Sequence, residues 1–283
     1  MPSHFQTLFP KLSLLSLTCV GLLSACAGPD HPPIGTPTNN TIDLSSALGV
    51  TEPAVIGVTI DGVTGQRYIL DANAGIFEIL EDGTAALVRS NQAFPIPDVA
   101  PISAWTDFVA LGDDQFAVTA RSDGYLLDLN DESMVEYFCY EPGFMDEELE
   151  QLTNGLALDY NAGLLYAQPA TYDMSGMSGP VDEAISASIG AYSLDGGQPI
   201  AWFEIPDTEF LAGGIAVDLD GTLLLGRGNE LHRFIPEGEG RLEGIGILED
   251  VGRIDGMVID SELEELLIID GEQGKLITLA LEF

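Results

Sequence analysis

Three residues with oxygen-bearing side chains directly precede short apolar segments, or phrases, of similar sequence. Asp107 precedes FVALG, Asn154 precedes GLALD, and Asp255 precedes GMVID. Carboxylate and amide oxygens suit calcium or another hard divalent cation, with water completing the coordination shell. If the phrases converge in the fold, these residues predict a site for one divalent cation. The same residue types also cap turns before strands, which leaves a purely structural role open.

The phrases belong to a repeat of short apolar strands separated by turns rich in Asp, Asn and Gly. The clearest copy reads GIAVD, LLLG, ELHRFI and LEGIGIL between 214 and 248, which predicts four strands joined by tight turns. Five such copies recur at intervals of roughly 42 to 59 residues. Aligning the copies places five residues at the start of the innermost strands: Ile56, Asp107, Asn154, Gly213 and Asp255.

Four antiparallel strands per copy predict an all-β fold, a five-bladed β-propeller over residues 42–283. The fifth copy lacks a fourth strand, and NTIDLSSALGV before the first copy can supply it, closing the ring and removing the exposed edges. Six blades stay open if AFPIPDVAPIS at 93–103 is a degenerate unit. A β-sandwich or a solenoid is the alternative architecture.

Three long insertions are expected on one face of the propeller. Residues 91–105 and 141–153 lead into the second and third blades, and residues 169–186 separate two strands of the third blade. Connections of both kinds lie where the innermost strands begin, and function concentrates on elaborated loops. We therefore expect this loop-rich face to recognise a ligand. One segment, GFMDEELEQL at 143–152, has a pattern that could form a short helix.

The N-terminal segment has the features of an export signal. Residues 12–25 form an apolar stretch of roughly 14 residues, shorter than the about 20 that span a bilayer. The LSAC sequence at 23–26 resembles the bacterial lipobox, which implies removal of residues 1–25 and a lipid anchor on Cys26. By the same resemblance, Ala27 favours the outer membrane over the inner one. A plain secretory signal cut near Ala25 is the alternative, and residues 26–41 are expected to form a flexible tether.

The composition is strongly acidic, with 9 Lys and Arg against 46 Asp and Glu and a formal net charge of −37. The acids are spread along every segment, which predicts a uniformly acidic surface. Nucleic-acid binding is excluded as a function, because it requires basic patches. We expect a monomeric domain that touches the membrane only through its lipid.

The phrases TNGLALDYNAGLLYAQ at 153–168 and IDGMVIDSELEELLIID at 254–270 resemble inner strands of gluconolactonase-like propellers of the senescence-marker-protein family. They are similar, less specifically, to NHL-type repeats. The first resemblance implies a six-bladed fold and a divalent metal held by Asn154 and Asp255. Two departures separate this chain from the family. Ile56 stands where the family's metal-binding Glu belongs, and Gly213 lies between the Asn and Asp phrases, which occupy successive blades in the family.

Two functions follow. The first is a binding scaffold, anchored in the cell envelope, whose loop-rich face recognises a protein, a glycan or a small ligand. The alternative is a divalent-metal-dependent lactonase, in which the cation polarises a carbonyl and Asp107 is the candidate base. The missing Glu and the interrupted spacing favour the binding scaffold. One divalent cation such as calcium is the only cofactor expected.

Overall fold

The protein is a five-bladed β-propeller, as the repeat predicts. The computed structural model describes residues 37–90, 105–120, 123–131, 133–139, 149–173, 184–205, 212–238 and 240–281. Within them, five antiparallel sheets of four strands are present, and the inner strand of each contacts the inner strands of its two neighbours in a closed ring. The six-bladed ring implied by the family resemblance is therefore wrong for this chain. The segment considered as a degenerate sixth unit, 93–103, lies outside the described residues.

The strands follow the predicted phrases closely in four of the blades. Their bounds, in order from the innermost strand outwards, are as follows. Blade 1 holds β2 (Val55–Ile60), β3 (Arg67–Asp71), β4 (Gly75–Ile79) and β5 (Ala85–Ser90). Blade 2 holds β6 (Trp105–Gly112), β7 (Gln115–Ala120), β8 (Asp123–Asp128) and β9 (Ser133–Cys139). Blade 3 holds β10 (Leu149–Asp159), β11 (Leu164–Asp173), β12 (Ala184–Ser193) and β13 (Pro199–Glu204). Blade 4 holds β14 (Gly214–Val217), β15 (Leu223–Arg227), β16 (Glu230–Ile235) and β17 (Arg241–Ile247). Blade 5 holds β18 (Ile254–Asp260), β19 (Glu265–Asp270), β20 (Lys275–Ala280) and, outermost, β1 (Pro37–Asp43).

Blade 5 is completed by the N-terminal strand, which confirms the predicted closure. β1 pairs antiparallel with β20, and Asp43 lies opposite Lys275. β1 begins at Pro37, so the last residues of the segment expected to be a tether belong to the sheet. The chain then turns into a short helix, α1 (Leu44–Leu48), which the sequence analysis does not predict. Asp43 caps this helix by accepting a hydrogen bond from the Ser46 N–H at 2.8 Å.

The strands of blade 3 are longer than predicted. β10 and β11 continue past the sheet core, where Leu149 pairs with Asp173 and Thr153 with Pro169. Residues 149–153 and 169–173 are therefore strand, where loops were expected. The helix predicted over 143–152 is wrong for residues 149–152, and residues 143–148 lie outside the described part. Pairing to a neighbouring strand, which a single-segment pattern does not reveal, decides the structure here.

The hydrophobic core lies between the blades. Five clusters of buried apolar side chains are present among the described residues, and each combines residues of two neighbouring blades. Between blades 1 and 2, for example, the Tyr68 and Phe116 rings meet edge to face with centroids 5.1 Å apart. Each sheet thus buries both apolar faces against its neighbours, which holds five inner strands around one axis.

Candidate functional site

The inner strands begin with a bulge that sets which residues face the axis. In β2, β6, β10 and β18 one residue is left out of register with the second strand of the blade. The residue after the bulge is Asp107 in β6 and glycine in the other three strands, at Gly57, Gly155 and Gly256. Gly214 stands at the matching place in β14, which pairs without a bulge. Asp107 therefore lies one position beyond the places of Asn154 and Asp255, and Thr106 is the residue in register with them. The predicted alignment of Asp107 with Asn154 and Asp255 is therefore wrong by one residue.

The glycines allow the inner strands to approach at backbone distance. A Cβ on Gly256 would lie 3.0 Å from the Cα of Gly57, and a Cβ on Gly214 would lie 2.9 Å from Gly256. A Cβ on Gly57 would overlap a carboxylate oxygen of Asp107. The propeller axis is consequently narrow at the face where the inner strands begin.

Asp107 occupies this crowded ring as a buried carboxyl group that is 4% exposed. Its Oδ1 accepts a hydrogen bond from the Phe108 N–H at 2.8 Å, and its Oδ2 accepts one from the Leu156 N–H of blade 3 at 2.7 Å. Burial raises the pKa of Asp107 to about 8, although the two N–H donors act in the opposite direction. Oδ2 thus joins blade 2 to blade 3, whereas Oδ1 is held by the backbone of its own strand.

Asp255 is engaged by a neighbouring cation. Arg253 donates from Nε to Oδ1 and from Nη2 to Oδ2 of Asp255, both at 2.6 Å, in a bidentate pair. The Asp255 carboxylate in turn raises the pKa of Arg253. The Asn154 backbone lies in β10, but its side chain is outside the described part of the structure. Among the described residues, no three His, Cys, Asp or Glu side chains are grouped so as to hold a metal ion. The cation site therefore stays a prediction.

A large cavity opens at the other end of the axis, where the inner strands end. Its volume is about 1390 Å³. Each of the five inner strands contributes a residue to its lining, with side chains that are only 1–5% exposed and pack between the blades: Val58, Val109, Leu156, Ile215 and Met257. The cavity thus lies on the face opposite the one that the sequence analysis favoured. It also extends toward the outer part of blade 1, since residues 78–83 line it as well.

Aspartates stand at the ends of four inner strands and line the cavity: Asp61, Asp159, Asp218 and Asp260. Three of them cap the following turn through Oδ1, as in the hydrogen bond from the Val63 N–H to Asp61 at 2.8 Å, whereas Oδ1 of Asp218 accepts from the adjacent Leu219 N–H. Such Asx turns explain why the sequence has aspartate here. In blade 2 the strand ends at Gly112 instead, and Asp113 and Asp114 make the turn with φ of 52° and 59°.

The four aspartates differ in their charge partners. Arg67 donates to Asp260 at 2.8 Å, and Arg233 lies 3.8 Å from Asp218. Burial raises the pKa of Asp218, and the Asp220 charge adds to that effect. Within the described part of the chain, no Lys or Arg pairs with Asp61 or Asp159, and no hydrogen bond reaches Oδ2 of either residue. These two residues are only 4% and 9% exposed.

Tyr160 connects the surroundings of these two carboxylates. Its hydroxyl donates to the Ala110 carbonyl at 2.9 Å and accepts from the Gly62 N–H at 3.3 Å. The ring covers Gly62, where a Cβ would collide with it, and Tyr160 remains 40% exposed. Burial raises the pKa of Tyr160, and the nearby charge of Asp61 raises it further. Tyr160 therefore links the turn after Asp159 in blade 3 to the turn after Asp61 in blade 1.

The mouth of the cavity also bears exposed apolar side chains. Leu219 and Leu263 line the cavity, and Val63 occupies a corresponding turn in blade 1. The three residues follow the aspartates by one to three positions and are among the most exposed large apolar residues described. The sequence carried a signal for this rim, since the inner phrases VTID, LALD, IAVD and MVID all end in aspartate. The sequence analysis above predicts no site from these residues, because aspartate after a strand is also an ordinary turn residue.

Comparison with known proteins supports the fold alone. No family model matches the chain, and no curated protein matches it. A solved structure described as a candidate gluconolactonase is 14% identical with a TM-score of 0.52, over 88% of this chain and 84% of that one. A gluconolactonase from Xanthomonas campestris is 15% identical with a TM-score of 0.50, over 90% and 99% of the two chains. An extracellular domain from B. thetaiotaomicron is 15% identical with a TM-score of 0.43, over 81% of this chain, which spans 26% of that protein. The resemblance to gluconolactonase-like propellers is thus confirmed for the architecture. No helix in the described residues is long and apolar enough to cross a bilayer.

Proposed function

We propose that the propeller is a binding module that takes a small ligand into its axial cavity. The observation that carries this proposal is the cavity itself, with about 1390 Å³ of space and a mixed lining of apolar and polar residues drawn from all five blades. Small-molecule sites are typically apolar concavities of roughly 300 to 1,000 Å³ with a few placed polar groups. The cavity is large enough for such a ligand.

We further propose that the module works outside the cytoplasm, as a lipoprotein held by Cys26 and more readily in the outer than in the inner membrane. The lipobox-like LSAC sequence and the polar segment after it support this localisation. The face where the inner strands begin is a second candidate surface, for a protein or a glycan. The extended strands of blade 3 project there. Residues 91–104, 140–148 and 174–183, which include most of the insertions that the sequence predicts for this face, lie outside the described part.

The alternative function, a metal-dependent lactonase, receives less support from the side chains. The likeness to gluconolactonase structures concerns the fold, at 14% and 15% identity. Asp107 is covered and engaged through both oxygens, and Asp255 is paired with Arg253. Every oxygen of the two carboxylates already has a donor within the protein, which favours binding over hydrolysis.

An uncharged dye tests the binding function. N-phenyl-1-naphthylamine, which fluoresces more strongly in apolar surroundings, should bind the purified protein saturably. Val258 lines the cavity, and Val258→Trp should fill part of it and weaken dye binding. Val135→Trp is the matched control, because Val135 is an exposed residue of the outer strand β9. The proposal would be refuted by dye binding that does not saturate, or by equal dye affinity in Val258→Trp and Val135→Trp.

A further inference from the structure

We propose that the face holding the cavity mouth docks on the surface of the bilayer in which the protein is anchored, through exposed apolar residues of its turns. This inference rests on the localisation proposed above, because it names the surface that a chain held by Cys26 would contact. Two observations carry it. The first is the placement of the exposed apolar side chains, and the second is the face at which the N-terminal segment joins the propeller.

The exposed large apolar residues are distributed unevenly over the propeller. Within the described part of the chain, every such residue that lies in a turn lies in a turn of the cavity face, and the others lie in the outermost strands of their blades. The turn residues, here called the apolar rim, are 40% to 75% exposed: Val63, Leu80, Tyr160, Leu219 and Leu263. Exposed apolar residues that are scattered singly would favour neither face.

The apolar rim surrounds one opening. Four of its members line the cavity, and the fifth, Val63, lies between Gly62 and Thr64, which line it as well. The hydroxyl of Tyr160 in blade 3 accepts from the Gly62 N–H of blade 1 at 3.3 Å, which joins two of the turns directly. The five side chains therefore belong to one surface, because their turns border the same cavity.

The N-terminal segment joins the propeller at this same face. β1 begins at Pro37, which pairs with Leu279 near the end of β20. Directly after β20, the Leu281 N–H donates to the Glu264 carbonyl at 2.7 Å, in the turn between β18 and β19. Leu263 of the apolar rim lies in that turn. The first residue of the propeller is therefore at the cavity face.

The length of the connecting chain keeps this face within reach of the lipid. Ten residues, 27–36, separate Cys26 from β1. An extended chain spans at most about 3.6 Å per residue, so an acylated Cys26 would stay within about 40 Å of Pro37. Because the chain enters at the cavity face, the anchor favours contact of the apolar rim with the bilayer over contact of the opposite face.

The residue types of the apolar rim suit the boundary between lipid head groups and acyl chains. Burial of leucine and valine side chains at this boundary is favourable, because it removes apolar surface from water. Tyrosine is typical of the same boundary, since its ring is apolar and its hydroxyl is polar. An anchor on Cys26 would keep the bilayer at a high local concentration, so that a few side chains suffice for a second contact.

The charge of the protein limits the kind of surface that fits. The formal net charge is −37, and the exposed acids Asp113 and Asp114 form the turn of blade 2, between the rim residues of blades 1 and 3. An anionic lipid surface would repel these groups. The same charge opposes a second copy of this chain as the cover of the apolar rim. A bilayer surface of zwitterionic lipid is therefore the partner.

Tryptophan fluorescence in lipid vesicles tests the inference on the acylated protein. The protein is reconstituted into phosphatidylcholine vesicles with or without brominated acyl chains, which quench indole emission on contact. Leu219→Trp and Leu263→Trp place a probe on the apolar rim, and the wild type corrects for Trp105 and Trp202. Ile247→Trp is the matched control. Ile247 is 64% exposed, close to the 61% of Leu263, but it pairs with the first residue of β16 at the opposite face.

We expect brominated lipid to lower the emission of each rim probe about twofold after correction for the wild type, because the rim reaches the acyl chains. The emission of Ile247→Trp should change no more than that of the wild type. Circular dichroism checks that each variant folds, and either rim variant is sufficient for the comparison with the control.

The outcomes separate this inference from the proposed function. Equal quenching of rim and control probes, or no quenching of either, would overturn the docking while Cys26 still holds the protein on the vesicles. A rim probe that stays unquenched in cross-linked dimers would also overturn it, since a second copy would then cover the rim. Protein that does not float with the vesicles lacks the anchor, which removes both the proposed localisation and the docking. Dye binding in the cavity is measured independently of all these results.

Discussion

The buried carboxyl of Asp107 should make the stability of the propeller depend on pH. The pKa of Asp107 is raised from 3.8 to about 8 by burial in the glycine ring. A carboxyl with a raised folded-state pKa holds its proton more tightly when folded. Its stabilising effect is therefore full below the unfolded pKa of 3.8 and is lost as the pH rises through about 8.

The substitution Asp107→Asn removes this dependence. Asn keeps an oxygen that can accept from the Phe108 or the Leu156 N–H, but it does not titrate. The difference in free energy of unfolding between the wild type and Asp107→Asn should therefore fall by about 4 kcal/mol between about pH 4 and about pH 7. Part of the pH dependence of the wild type comes from mutual repulsion among its 46 acids, which both proteins share. The difference between the two proteins isolates Asp107.

Urea denaturation across this pH range measures the effect. Salt at about 1 M shortens the Debye length to about 3 Å and suppresses the shared surface repulsion. Asp195→Asn is the control, because Asp195 is an exposed acid in the turn after β12. Its free energy of unfolding should follow that of the wild type at every pH. A difference between wild type and Asp107→Asn that stays constant within about 1 kcal/mol would refute the account of Asp107 as a titrating group in the core.

Three further predictions concern ion pairing, anchoring and metal. Arg67→Gln should lower the free energy of unfolding by about 1–3 kcal/mol, because it leaves the mostly buried Asp260 without its cation. Arg241→Gln breaks an exposed ion pair and should lower it by only about 0–1 kcal/mol. Similar losses for the two variants in urea denaturation would contradict this prediction. Cys26→Ser should abolish incorporation of a labelled fatty acid in a bacterial host and release the protein from the membrane fraction, and label retained by the variant would exclude Cys26 as the anchor. If the predicted cation site exists, millimolar calcium, manganese or zinc should raise the melting temperature, and Asn154→Ala and Asp255→Ala should each remove the shift. A wild type without any shift, and without hydrolysis of a simple lactone, would eliminate the metal-dependent enzyme.

The repeat made the architecture predictable because each blade is a local hairpin series with its own turns. The apolar phrases predicted nearly every strand of blades 1, 2 and 4, and the missing strand of blade 5 pointed to closure by the N-terminus. The long strands of blade 3 were missed, since residues 149–153 and 169–173 carry Glu, Thr, Gln and Pro that read as loop. Their conformation depends on pairing with each other, which no single segment shows.

The site was less accessible to sequence reasoning than the fold. The bulges cannot be recognised in an alignment of sequence repeats. Asp107 was therefore aligned with Asn154 and Asp255, although Thr106 is the residue in register with them. The partners of Asp260 are equally hidden, because Arg67 lies 193 residues away in the chain. The aspartates at the ends of the inner phrases were visible, but only the fold shows that they surround one cavity. Which of them keep an uncompensated charge depends on arginines from other strands.

The closure of blade 5 has a consequence for how the chain folds. β1 is the first strand to be synthesised, and its partner β20 is the last, with Asp43 opposite Lys275. Contacts so distant in sequence form slowly, since the entropy of closing the intervening loop opposes them. The ring therefore cannot close until β20 has been synthesised, and earlier intermediates expose an unpaired strand edge. Truncation at the C-terminus should accordingly deprive the first strand of its partner and yield an aggregation-prone open ring.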